Sequence, residues 1–194
     1  MINIISNKEI IPDLDSDLPL LRPLNYPPGT PGHGWVCRGD SMVVNLLGRV
    51  FVGTCDCPFR AMDALLERNV DLPKVVIVDM HAEATSEKVA LGWYLDGRVS
   101  VVAGTHTHVA TADTRILPKG TAYVSDLGMV GSTNSVIGVE YENVIQRFLY
   151  QTPNRLKVSM EGPIRFNSVL IEIDDSSGKA LEIVRVDKQI AADD

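Results

Sequence analysis

Two short apolar runs separated by one helical segment constrain this chain more than any other feature. "KVVIVDM" (74–80) and "VSVVAG" (99–104) are continuous stretches of branched and small apolar residues, the pattern of strands buried on both faces of a parallel sheet. Between them "SEKVALGWYLDG" (86–97) reads as a short helix, with Ser86 as N-cap and Gly97 beyond its end. Strand, crossover helix and strand make a β-α-β unit, expected to be right-handed. In such sheets ligands bind outside the C-terminal ends of the strands. His81 ends the first run, and His106 and His108 follow the second in "AGTHTHVATADTRI" (103–116). Three of the chain's four histidines therefore fall at two neighbouring strand exits.

In an extended backbone residues i and i+2 point to one side. His106 and His108 are thus expected to aim both imidazoles at one point, with Thr107 turned away. Asp79, two before His81, shares that face and is a candidate ligand or an acceptor for an imidazole N–H. Three neutral imidazoles suit Zn, Mn, Fe or Ni over Ca or Mg. Clustering at one cleft favours a metal site over separate hydrogen-bonded loop histidines. His33, in "GTPGHGW", reads as a loop residue. H-x-H also opens the metal site of amidohydrolase barrels, but a (β/α)8 barrel takes about 250 residues and this chain has 194.

The rest of the chain organises around that unit as one domain. Residues 1–34 form a Pro/Gly-rich irregular segment, 35–150 the α/β core, and 151–194 a set of C-terminal β-strands. "WVCRG" and "SMVVNLLG" read as a hairpin turning at Gly39-Asp40. "DCPFRAMDALLERN" reads as a helix capped by Asp56 or Cys57, with Phe59, Met62 and Leu66 on its inner face. "RILPKGTAYVSD" is a hairpin, "EYENVIQRFLY" a helix with Val144 and Phe148 inward, and "IRFNSVLIEIDDSSGKALEIVRVD" an antiparallel hairpin.

Net charge is −7 and no basic block interrupts it, so polymeric nucleic acid and membrane surfaces are not expected partners. A small anionic substrate stays compatible where a bound cation supplies the local positive charge. No apolar run is long enough for a membrane span, and the N-terminus lacks signal-peptide features. Three cysteines, with Cys55 and Cys57 read as free thiols rather than a metal chelate, point to a reducing, cytoplasmic setting.

A His at a strand end followed by G-x-H-x-H after the next strand resembles the last two motifs of calcineurin-like metallophosphoesterases. The stretch "HAEATSEKVALGWYLDGRVSVVAGTHTHVATADTRILPKGTAYVSDLGM", together with "LLRPLNYPPGTPGHG" and the C-terminal hairpin, resembles the YmdB-like family of bacterial metallophosphoesterases over nearly the whole chain. That resemblance implies a four-layer α/β/β/α sandwich and a dinuclear centre of divalent Fe or Mn. It implies hydrolysis of phosphodiesters, with 2′,3′-cyclic nucleotides as the characteristic substrates. By motif match His81, His106 and His108 are metal ligands. Asp79, Glu83 and Thr107 line the same loops as supporting candidates, and Thr85 reads as a helix-start residue.

The family's other ligands lie N-terminal to these motifs: an Asp, a Glu-Asn pair and an Asn-His pair. Met1-Ile2-Asn3 stand where Gly-Asn-His would fall. The expectation is a chain lacking the first β-α units, the bridging carboxylate and the general-acid histidine, and holding no metal or one. Asp79, Glu83, Asp113 and Asp126 are the nearest carboxylates, and each is expected to be solvated at the surface. An exposed sheet edge would favour a homo-oligomer. The alternatives are a non-catalytic metal- or nucleotide-binding protein and a mononuclear three-histidine hydrolase.

Overall fold

The computed structural model of the chain describes residues 8–16, 18–68 and 71–191; the reading of Met1-Ile2-Asn3 lies outside them. After a 3-10 helix (Lys8–Asp15) and the proline-rich segment, β1 (Trp35–Arg38) and β2 (Ser41–Leu47) form the expected antiparallel hairpin. Gly39 takes the turn with φ of 56°, a left-handed conformation that costs glycine nothing sterically. Then come α1 (Pro58–Arg68), β3 (Val75–His81), α2 (Thr85–Leu95) and β4 (Val101–Thr105). β5 (Arg115–Ile116) and β6 (Ala122–Val124) are the second expected hairpin. They complete a six-stranded sheet in the order β1-β2-β3-β4-β6-β5, with β2, β3, β4 and β6 mutually parallel.

The sheet separates two cores. On one face Met62 and Leu65 of α1 and Leu91 and Leu95 of α2 pack against Met42, Val44, Leu46, Val76, Val78 and Met80. On the other, the hairpin of β9 (Val169–Ile173) and β10 (Ala180–Arg185) lays Ile171, Ile173 and Ile183 over Val101, Ala103, Ala122 and Val124. β7 (Val130–Ser132), β8 (Ile164–Phe166) and β11 (Lys188–Ile190) make a small antiparallel sheet. The architecture is mixed α/β, with parallel and antiparallel sheets.

Three expectations change. β4 is buried on both faces, but β3 is not: Val76, Val78 and Met80 are buried while Val75, Ile77, Asp79 and His81 are half-covered. The β9–β10 hairpin lies over β4 and β6, so the far side of β3 receives only partial cover. α2 starts two residues earlier than expected, with Ala84 rather than Ser86 at the cap position and no side-chain cap. Ser86 sits inside the first turn, where the N–H groups of Glu87 and Lys88 both donate to the Ala84 carbonyl. Finally, α3 (Tyr141–Tyr150) buries none of its residues, and Phe148 is 79% exposed rather than inward. Its apolar side meets no core among the described residues, so it supplies no fourth layer there.

Candidate metal centre

The site lies where β3 and β4 end side by side, with His81 in register with Thr105. β4 stops at Thr105, and the H-x-H segment beyond it is not extended: His106 has φ of 108° and His108 φ of 64°. Strand alternation therefore does not aim the two rings. Non-glycine residues at positive φ cost of order 1–3 kcal/mol each and cluster at functional sites.

What holds that turn is Asp126. Its Oδ2 accepts from the Thr107 N–H at 3.0 Å, the Thr107 hydroxyl at 2.8 Å and Lys88 Nζ at 2.8 Å, and its Oδ1 accepts from the Gly128 N–H at 2.9 Å. Asp126 is buried, not solvated as the sequence suggested. Burial alone would raise its pKa; the hydrogen bonds from Lys88, Gly128 and Thr107 outweigh it and hold the carboxyl below the usual carboxylate range. Thr107 is turned away as expected, and this anchor is where it points. Asp113 is likewise tied down, accepting from the Ser125 N–H at 3.1 Å and the Ser125 hydroxyl at 2.6 Å. Glycine at 104 permits the close approach: a Cβ there would sit 1.8 Å from the Ser125 carbonyl oxygen.

His81 and His106 converge. His81 Nε2 and His106 Nδ1 are 3.0 Å apart, with the rings at 88°. The outer nitrogen of each ring has its own oxygen partner. His81 Nδ1 is 3.1 Å from the Thr105 hydroxyl, and His106 Nε2 is 3.0 Å from the Glu83 carboxylate. A neutral imidazole carries one N–H and one lone pair. The 3.0 Å contact is an N–H···N hydrogen bond if one ring donates across it; if both N–H groups point outward to oxygen, the nitrogens that face each other bear lone pairs. Two lone pairs at that separation need a cation between them, either a proton or a metal ion. Desolvation, then the neighbouring His106, pushes the His81 pKa down to about 4, so its ring is neutral at physiological pH.

His108 is held differently, its Nδ1 donating to the Ile137 carbonyl at 2.8 Å. A carbonyl only accepts, so the lone pair of His108 is on Nε2. Asp79 does not touch an imidazole. It accepts from the Thr105 hydroxyl at 2.7 Å and from Asn45 Nδ2 at 2.8 Å; burial raises its pKa, and those two hydrogen bonds oppose the rise. Among the described residues no three His, Cys, Asp or Glu side chains are gathered into a metal shell. The donor chemistry of the His81–His106 pair fits two positions of one, with Glu83 the adjacent carboxylate. His33 is an exposed loop residue, and all three cysteines are free thiols.

Lys88, Asn45 and Thr105 carry much of this geometry and were not singled out from the sequence. Lys88 has the one legible signal, since its i+3 and i+7 neighbours Leu91 and Leu95 put it on the helix's sheet-facing side.

A family model described as YmdB-like protein matches residues 3–186. A 2′,3′-cyclic-nucleotide 2′-phosphodiesterase of Bacillus subtilis (strain 168) is 47% identical over 183 residues, which is 92% of this chain and 69% of that protein. A hypothetical protein from Thermus thermophilus superposes with a TM-score of 0.87 at 43% identity, over 95% of this chain and 73% of its own. A novel phosphatase from Mycoplasma pneumoniae does so with a TM-score of 0.85 at 32% identity, over 95% and 69% respectively. The chain thus spans about seven tenths of each of these relatives.

Proposed function

The chain belongs to the YmdB-like family, and from that premise we propose that it works as a metal-dependent phosphodiesterase on small phosphodiesters, with 2′,3′-cyclic nucleotides as the substrate class. The relative from Bacillus subtilis, named for that activity, supports the substrate. The observation that carries the metal dependence is the pair of inward nitrogens, His81 Nε2 and His106 Nδ1, held 3.0 Å apart.

A divalent cation of Fe or Mn type, when bound, supplies positive charge to the phosphoryl oxygens and activates water as nucleophile. The protein's share is to hold and orient. His81 and His106 offer Nε2 and Nδ1, and His108 is the third ligand in this reading, through Nε2. Glu83 fixes the His106 ring through its Nε2–H. The Lys88–Asp126–Thr107 anchor fixes the loop that carries both later histidines. With neutral imidazoles and no bridging carboxylate among these residues, one metal per chain rather than two is the loading proposed. A chain of net charge −7 needs that cation to attract an anionic substrate.

Manganese titration of the purified protein, followed by hydrolysis of 2′,3′-cyclic AMP, tests this. Binding and turnover that both disappear in His106→Ala support the reading, and turnover undiminished in His81→Ala and His106→Ala variants would sink it. A second reading, binding of metal or nucleotide without hydrolysis, is favoured by the absence of a third ligating side chain at the pair among the described residues. Binding without turnover would establish it.

Self-association and a cytoplasmic setting complete the proposal. The first rests on the exposed apolar residues Ile145, Phe148, Leu149 and Tyr150 of α3, the second on three free thiols. Among the described residues no helix is long and apolar enough to cross a membrane.

A further inference from the structure

We propose that Thr105 is a positioning residue that sets which nitrogen of His81 carries the proton, through a relay that begins at Asp79. The inference rests on the metal-site reading above for its consequence, but its geometry stands alone. Three parallel strands contribute to it in register. Asn45 of β2 lies beside Asp79 of β3, and His81 of β3 lies beside Thr105 of β4.

With Asp79 ionised, proton accounting along the relay leaves one arrangement. Both oxygens of Asp79 are acceptors, Oδ2 for Asn45 Nδ2 at 2.8 Å and Oδ1 for the Thr105 hydroxyl at 2.7 Å. A threonine hydroxyl has one hydrogen and two lone pairs. Given to Asp79, that hydrogen is not available to His81, so at the 3.1 Å contact Thr105 can only accept. His81 must therefore be protonated on Nδ1, and its lone pair is committed to Nε2, the atom 3.0 Å from His106.

Asp79 thus acts on the ring at one remove, with threonine as a polarity adaptor. A carboxylate touching His81 directly would bring a full negative charge to the ring; the interposed hydroxyl passes on orientation without that charge. The half-covered face of β3 makes the device useful. His81 is only partly enclosed, so water could otherwise compete for Nδ1 and scramble the tautomer. Loss of an outer contact of this kind typically costs about 10–100-fold in metal affinity.

The test uses Thr105→Val, which keeps shape but removes the hydroxyl, and Thr105→Ser, which restores it. Imidazole nitrogen shifts, read by NMR on metal-free protein labelled with 15N-histidine, report the His81 tautomer directly. The expected result is a single Nδ1–H form in the native protein, a mixture containing Nε2–H in Thr105→Val, and recovery in Thr105→Ser. Manganese affinity by calorimetry should fall about 10–100-fold in Thr105→Val and return in Thr105→Ser. An unchanged His81 tautomer in folded Thr105→Val, or a native protein that already mixes both forms, overturns the proposal. A tautomer shift in a protein that binds no manganese in any variant upholds the relay and overturns the metal reading of the site.

Discussion

Lys88 and Asp126 meet at 2.8 Å with side chains 2% and 1% exposed, and the same carboxylate oxygen holds Thr107 between the two loop histidines. A buried ion pair adds little net stability over an apolar pair, but removing one partner strands a charge and costs about 3–5 kcal/mol. Lys88→Met should therefore destabilise the protein by about that amount, read as a fall in urea midpoint. It should also weaken metal binding, because the 106–108 turn loses its anchor. A variant as stable as the native protein would show that the pair contributes neither.

The same carboxylate predicts an acid limit. Its folded pKa lies below the ordinary value of about 3.9. Its contribution is complete above that unfolded value and is lost as pH falls through the lower folded one. Thermal midpoints measured from pH 7 downward should drop steeply below about pH 4, and Asp126→Asn, less stable at pH 7, should show a shallower slope there. Parallel slopes in the two proteins would remove Asp126 from the acid transition.

Gly104→Ala should be among the most damaging single-methyl changes in the chain. The added carbon would lie 1.8 Å from a backbone oxygen of Ser125 and 2.9 Å from the Lys88 side chain. Backbone cannot yield as a flexible side chain can, so the cost should reach about 3 kcal/mol, the upper end for overpacking. Soluble yield and melting temperature measure it, and a near-native melting point would mean that β4 and the segment after β6 separate easily.

Light scattering tests the exposed helix. The native chain should elute above its monomer mass, and Phe148→Glu combined with Leu149→Glu should shift it toward monomer without lowering its melting point, since neither residue is buried. A native monomer would withdraw α3 as an association surface.

The β-α-β unit and its histidines were legible because burial in a parallel sheet leaves continuous apolar runs, and both runs became neighbouring strands with His81 at the exit. The aim of the rings was not legible. Alternation holds only while the backbone stays extended, and His106 and His108 lie past the strand end at positive φ. Asp126 read as solvated because its partner is 38 residues away and a buried lysine looks like any other in sequence. Thr105 looks like a spacer in G-x-H-x-H; only the lateral register of three strands sets the Asn45–Asp79 pair two residues before the His81–Thr105 pair, within reach of it.

The proline-rich segment decides how this sheet meets other molecules. The Leu24 N–H donates to the Asn45 carbonyl, the Asn45 N–H donates to the Gly34 carbonyl, and the Asn25 side chain takes both the N–H and the carbonyl of Leu47. The outer margin of β2 is thereby sealed by a strap whose prolines have no N–H to offer. Among the described residues only the four of β1 on that flank present an open ladder, too few to template fibre growth. On heating or concentration, main-chain strand addition should therefore not start from the β2 flank of this sheet.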